Sequence, residues 1–181
     1  MFSCSSEDAD LNIADEELTE NMDLDQLPQR TGARPATTDG VPHIQLDLDK
    51  IPSVHQEMVK RVFSVPGIIN EPSVILSWEG LWIDENIDIV NPQAVINGRE
   101  IGHIHDDGSL HIFLEPSRAQ EAINKGWAVS HPYAAQERDG WKGFVMLYTP
   151  QTMEEINVVF QLIVEAFNYV TGQQLDPKDF Y

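Results

Sequence analysis

The stretch Arg99-Glu100-Ile101-Gly102-His103-Ile104-His105-Asp106-Asp107-Gly108-Ser109-Leu110-His111-Ile112-Phe113-Leu114-Glu115 decides how this chain folds. Its residues alternate on both sides of Asp106-Asp107-Gly108, the pattern of a β-hairpin. Loop length then sets which residues face each other. A two-residue Asp107-Gly108 loop places His103 opposite Ile112 and mixes polar with apolar groups on both faces. A three-residue loop over 106–108, with Gly108 in the left-handed conformation, sorts them. His103 then lies opposite His111, His105 opposite Ser109, Ile101 opposite Phe113 and Arg99 opposite Glu115. The other face carries Ile104, Leu110, Ile112 and Leu114 and reads as core. The expected hairpin thus has one packing face and one face of three imidazoles flanked by an ion pair.

Three readings fit such a face. Neutral imidazole nitrogens are good ligands for divalent transition metals, which makes His103, His105 and His111 the metal-ligand candidates. The same groups titrate near neutral pH and can take a proton from an acidic substrate. Alternatively, the rings satisfy one another and the Asp106 and Asp107 carboxylates, with no ligand. Downstream, Pro116-Ser117 opens a short helix over 118–125 that Gly126 stops, and Trp127 leads to His131-Pro132. This return lets His131 reach the histidine face. The catalytic candidates are therefore His103, His105, His111 and His131, and the substrate-binding candidates are Arg99, Ile101, Ser109, Phe113 and Trp127. Core packing is the competing role for Trp127 and Trp141.

Around the hairpin the pattern predicts helices and strands in alternation. Ser53 and Gln56 have capping-box spacing ahead of Val54, Met58, Val59, Val62 and Phe63, with Pro66-Gly67 as the stop. Residues 74–78 and 81–83 read as strands joined at Glu79-Gly80, and 87–96 as another extended stretch. Thr152 and Glu155 form a second capping box, after which Ile156, Val159, Phe160, Ile163, Val164, Phe167 and Val170 recur at helical spacing until Gly172. The expected fold class is α+β, a small antiparallel sheet with helices packed mainly on one face.

Composition narrows the function classes. The chain has 181 residues, 41% of them apolar, enough for one domain. Its 30 acidic residues against 11 basic ones give a net charge of −19, which argues against nucleic acid as a ligand. No apolar run approaches the roughly 18–20 residues needed to span a bilayer, and no export signal precedes the acidic start, so a soluble cytoplasmic protein is expected. With one cysteine, Cys4, no internal disulfide can form. Residues 1–40 hold ten acidic residues and only two basic ones, Arg30 and Arg34, and read as a disordered acidic tail ahead of a domain at 41–181. No Gly-rich phosphate loop is present, which disfavours a nucleotide cofactor.

Taken in order, Arg99-Glu100-Ile101, His103-x-His105-Asp106, Ser109-Leu110-His111, Lys125-Gly126-Trp127, His131-Pro132 and the helix over 152–170 resemble the fungal luciferase-like domain family. That family includes the enzyme of bioluminescent mushrooms and many bacterial and fungal relatives. The resemblance implies an oxidoreductase of the monooxygenase kind, adding O₂ to a small acidic aromatic or hydroxypyrone-type substrate with no flavin or required metal. Light emission is not expected. The order of elements also resembles, more weakly, that of small YjbR-type proteins. A second function class uses the same face without chemistry, as a small-ligand, metal-binding or interaction module.

Overall fold

The computed structural model describes residues 26–76, 78–136 and 141–181. Six strands, β1 (Ile68–Pro72), β2 (Glu79–Ile83), β3 (Glu100–Ile104), β4 (Leu110–Phe113), β5 (Ala128–Ser130) and β6 (Phe144–Leu147), form one antiparallel sheet in the order β1-β2-β3-β4-β6-β5. Four helices, α1 (Pro52–Val62), α2 (Pro116–Asn124), α3 (Pro132–Ala135) and α4 (Met153–Thr171), pack against it or connect its strands. The class is α+β, as expected. Among the described residues no helix is long and apolar enough to cross a membrane.

The central hairpin has the three-residue turn. His103 pairs with His111 and Ile104 with Leu110, while the His105 N–H donates to the Ser109 carbonyl at 2.8 Å. Gly108 has φ +87°, where an L side chain is strained. A Cβ there would also come within 2.9 Å of Lys50 Cβ and 3.1 Å of Thr149 Cγ2. Gly108→Val is therefore expected to cost about 2 kcal/mol or more, and Gly108→Asn roughly half that, because Asn tolerates the left-handed region. Equal melting temperatures for Gly108→Val and wild type would contradict this turn.

α4 forms for the reasons read from its pattern. Thr152 Oγ1 accepts the Glu155 N–H at 3.2 Å, the Glu155 carboxylate accepts the Gln151 N–H at 2.8 Å, and Gly172 ends the helix with φ +72°. All seven residues of the apolar stripe are buried, and the helix rests on β3, β4 and α1. Burial of such a stripe outweighs any single cap.

Elsewhere the expectations are corrected. α1 begins with Pro52 at its first position and has no side-chain cap, so the Ser53–Gln56 box does not form. Residues 74–76 are not a strand, because side chains take their backbone donors. The Val74 N–H goes to the Glu100 carboxylate and the Ile75 N–H to Ser73 Oγ. The strand that pairs with β2 lies earlier, at Ile68–Pro72. Over 87–96, a 3₁₀ turn at Pro92–Ala94 replaces the expected extension, and the Val90 and Asn91 N–H groups donate to the Val170 carbonyl at the end of α4.

The boundary expected at residue 40 is also displaced, because residues 26–40 lie against the domain. Leu27 is 1% exposed, and the Trp127 Nε1–H donates to the Pro28 carbonyl at 2.7 Å. Arg30 pairs with Glu155 at 3.2 Å, and Arg34 donates to the Ile123 carbonyl at the end of α2. Sparse apolar content does not prevent docking when one leucine and two arginines find sites already built by other elements. The remainder of the expected tail, residues 1–25, lies outside the described residues.

Candidate active site

Alternation along β3 and β4 sends His103, His105 and His111 to one side of the sheet, and the antiparallel register brings them together. His103 Nε2 and His105 Nε2 both point at His111 Nδ1, at 3.2 Å and 3.1 Å. Gly126 and the short α2 return the chain to β5, beyond which His131 serves as the N-cap of α3. Its Nδ1 accepts the Tyr133 N–H at 3.1 Å, and its ring centroid lies 4.9 Å from that of His111. All four histidines proposed from the hairpin argument are thus gathered, and all are buried.

A fifth member was not anticipated. His43 lies on the strap formed by residues 36–46, closed by the Thr37–Gln45 bridge and tied to the domain by Gln45 and Thr149. Its Nδ1 is 3.0 Å from His111 Nε2. Five of the six histidines in the chain therefore share one site. No local pattern around Val41-Pro42-His43 marks it, since its partner is 68 residues away. Glu100 was also missed as a site group. Its carboxylate, fully buried, accepts from His103 Nδ1 at 3.2 Å and from the Val74 N–H at 3.1 Å. Burial alone would push this carboxyl up, but hydrogen bonds from His103, Ser73 and Val74 outweigh it and hold it below the usual range.

The substrate-binding candidates do not line the site as expected. Arg99 turns away from Glu115 and donates to the backbone carbonyls of Ile83, Asp84 and Ile87, while Glu115 caps α2. Ile101 is fully buried in the core. Trp127 is held under the Pro28 carbonyl, and Phe113 stacks on Phe144 behind the wall. Ser109 has a supporting role: its Oγ contacts His105 Nδ1 at 2.9 Å and donates to Asp107 Oδ1 at 2.7 Å. The walls come instead from Val41, Pro42, Ile75, Leu76, Trp78, Ile96, Tyr133, Trp141 and Phe144. Trp78 covers His105 and His103 with centroids 4.3 Å and 5.3 Å away, and Trp141 stacks beside His131 at 5.7 Å.

The cavity volume is about 170 Å³. A cavity of ~150 Å³ holds a benzene-sized ring, so this one suits a single aromatic ring. Among the described residues, the ionisable groups of its lining apart from the Tyr133 phenol are all imidazoles, with no carboxylate, lysine or arginine. Burial pushes His43 down to about 4 and, together with neighbouring imidazoles, His105 to about 3 and His111 well below its ordinary value. At neutral pH these three rings are uncharged.

Residues 98–166, which contain Glu100, four of the five site histidines, Tyr133 and Trp141, match the Luciferase domain family. The chain resembles that family over this stretch. It is distantly similar to the luciferase of Armillaria mellea, 29% identical over 177 residues covering 82% of this chain and 63% of that one. The luciferase of Armillaria ostoyae gives the same identity and coverage, and that of Neonothopanus nambi is 28% identical over 170 residues, covering 82% and 62%. The chain therefore spans a little under two thirds of the length of these curated relatives. No solved structure matches. His43 and Trp78 complete the site from outside the matched residues.

Proposed function

We propose that this chain oxidises a small, planar, acidic aromatic or hydroxypyrone-type molecule with O₂. The observation that carries the reading is a one-ring apolar cavity whose wall includes the neutral imidazoles of His43 and His111. An apolar enclosure favours a flat ring, and a neutral imidazole nitrogen can accept a hydrogen bond or a proton from an acidic enol or phenol. Loss of that proton leaves an electron-rich anion, which supplies the electrons for reduction of O₂. His131, whose Nδ1 accepts the Tyr133 N–H, carries its proton on Nε2 when neutral, and that N–H can orient a substrate oxygen. The distant likeness to fungal luciferases supports oxidation over simple binding, and light emission is not part of the proposal.

Oxygen uptake tests it, measured on the purified chain with a panel of hydroxypyrones and electron-rich phenols. His131→Asn is the informative variant, because Asn still caps α3 while removing the ring Nε2. Its melting transition is expected to stay within about 1 kcal/mol of wild type, with kcat/KM falling at least ~100-fold. Substrate binding without uptake in the wild-type chain would favour the non-catalytic module instead. That second reading draws on the same convergence of ring nitrogens.

A further inference from the structure

The protons of the histidine cluster do not add up when every ring is neutral and nothing else is present. Ionised Glu100 can only accept, so His103 carries its proton on Nδ1 and presents a lone pair at Nε2. The Ser109 hydroxyl donates to Asp107, so its oxygen accepts the proton on His105 Nδ1, and His105 also presents a lone pair at Nε2. Both lone pairs aim at His111 Nδ1. That atom holds at most one proton, leaving three buried nitrogens to share it. A buried polar atom without a full partner is costly.

We propose that His103 Nε2, His105 Nε2 and His111 Nδ1 bind one divalent first-row transition metal ion. One nitrogen from each ring lies within 4.8 Å of the other two. Metal–nitrogen bonds of about 2.1 Å place ligand nitrogens about 3.0 Å apart at right angles and about 3.4 Å apart at the tetrahedral angle. The two spacings to His111, 3.1 Å and 3.2 Å, fall between these values. A ligating histidine characteristically gives its other N–H to a carboxylate, hydroxyl or backbone acceptor, which fixes the tautomer and raises ligand basicity. Glu100 does this for His103, and Ser109 backed by Asp107 does it for His105. With Nδ1 on the ion, His111 carries its proton on Nε2 and donates it to His43 Nδ1 at 3.0 Å. The three ligand rings then have a partner for both nitrogens.

A second group, His43, His111 and His131, has comparable spacing. It is the weaker candidate, because neutral His131 uses its Nδ1 lone pair to cap α3 and presents a donor at Nε2. The ion at the first group would place positive charge beside a cavity whose lining, among the described residues, offers an anionic substrate no lysine or arginine. This inference goes beyond the oxidation reading and does not depend on it.

The test uses the full chain, stripped with a chelator and titrated with Co²⁺ alone, followed by absorption, elemental analysis and melting temperature. The expected result is one ion per chain, visible d–d bands and a raised melting temperature. Glu100→Gln and Ser109→Ala should each weaken Co²⁺ affinity by about 10–100-fold, whereas His131→Asn should leave it unchanged. Two conservative variants keep the test decisive if one of them fails to fold. Absence of stoichiometric Co²⁺ binding by the wild-type chain would overturn the proposal. So would loss of binding in His131→Asn as large as in the other two, which would move the ion to the second group. Oxygen uptake is assayed separately, so its absence with Co²⁺ bound would count against the oxidation reading alone.

Discussion

A chain that begins at residue 36 is expected to melt about 10 °C or more below one that begins at residue 26, a loss of roughly 5 kcal/mol. The segment between these starts buries Leu27 and supplies the acceptor for the Trp127 indole N–H. It also places Arg30 between Glu155 and the faces of Trp127 and Tyr148. Losing a buried leucine costs about 2–3 kcal/mol, and an indole N–H left without its acceptor adds about 1–3 kcal/mol. Glu155 would lose its partner as well, although it would still accept the Gln151 N–H at the start of α4. Comparing the two truncations by thermal denaturation isolates residues 26–35. Coincident transitions would show that their docking contributes nothing.

His111→Ala is expected to abolish oxygen uptake and also to destabilise the fold by about 2–4 kcal/mol. From the hairpin alone, one face is expected to supply all the packing, so truncating an imidazole on the other should be nearly free. In the structure both faces of β4 are buried, and His111 is 4% exposed. Its ring touches His43, His103, His105, His131 and Phe144. Removing it leaves a cavity and takes away the partner of three ring nitrogens at once. Chemical denaturation and oxygen uptake on the same preparation check both parts. A variant as stable as wild type but inactive would restore the simpler picture of a solvent-facing histidine surface.

Short-range regularities were legible without coordinates. The turn over 106–108 followed from the requirement that one residue per position alternate between faces, because a shift by one residue would have put imidazoles into the core. α4 was legible because its cap, apolar spacing and terminal glycine all agree within one segment. By contrast, the apolar run at 74–76 has strand composition, yet Glu100 and Ser73 claim its backbone donors and turn it into a wall of the cavity. Arg99 illustrates the same limit. Its expected partner Glu115 was consistent with the register, but three carbonyls at the end of β2 and just beyond it outcompete it.

The sequence by itself determined the class of the fold, the pairing of His103 with His111, and the approach of His105 and His131 to that pair. These depend on period-two alternation, one glycine turn and a short helical return, all encoded within a span of about 30 residues. Only the tertiary structure decided that His43 joins from a strap 68 residues away, that Glu100 is the buried acceptor behind His103, and that residues 26–40 belong to the domain. The strap and residues 26–40 depend on side chains meeting across long loops, and the Glu100 acceptor is completed only when Ser73 and Val74 reach it from 26 or more residues away. Such a meeting leaves no periodic trace in the chain, because the pairing is selected by the shape and unsatisfied hydrogen bonds of surfaces that exist only after folding.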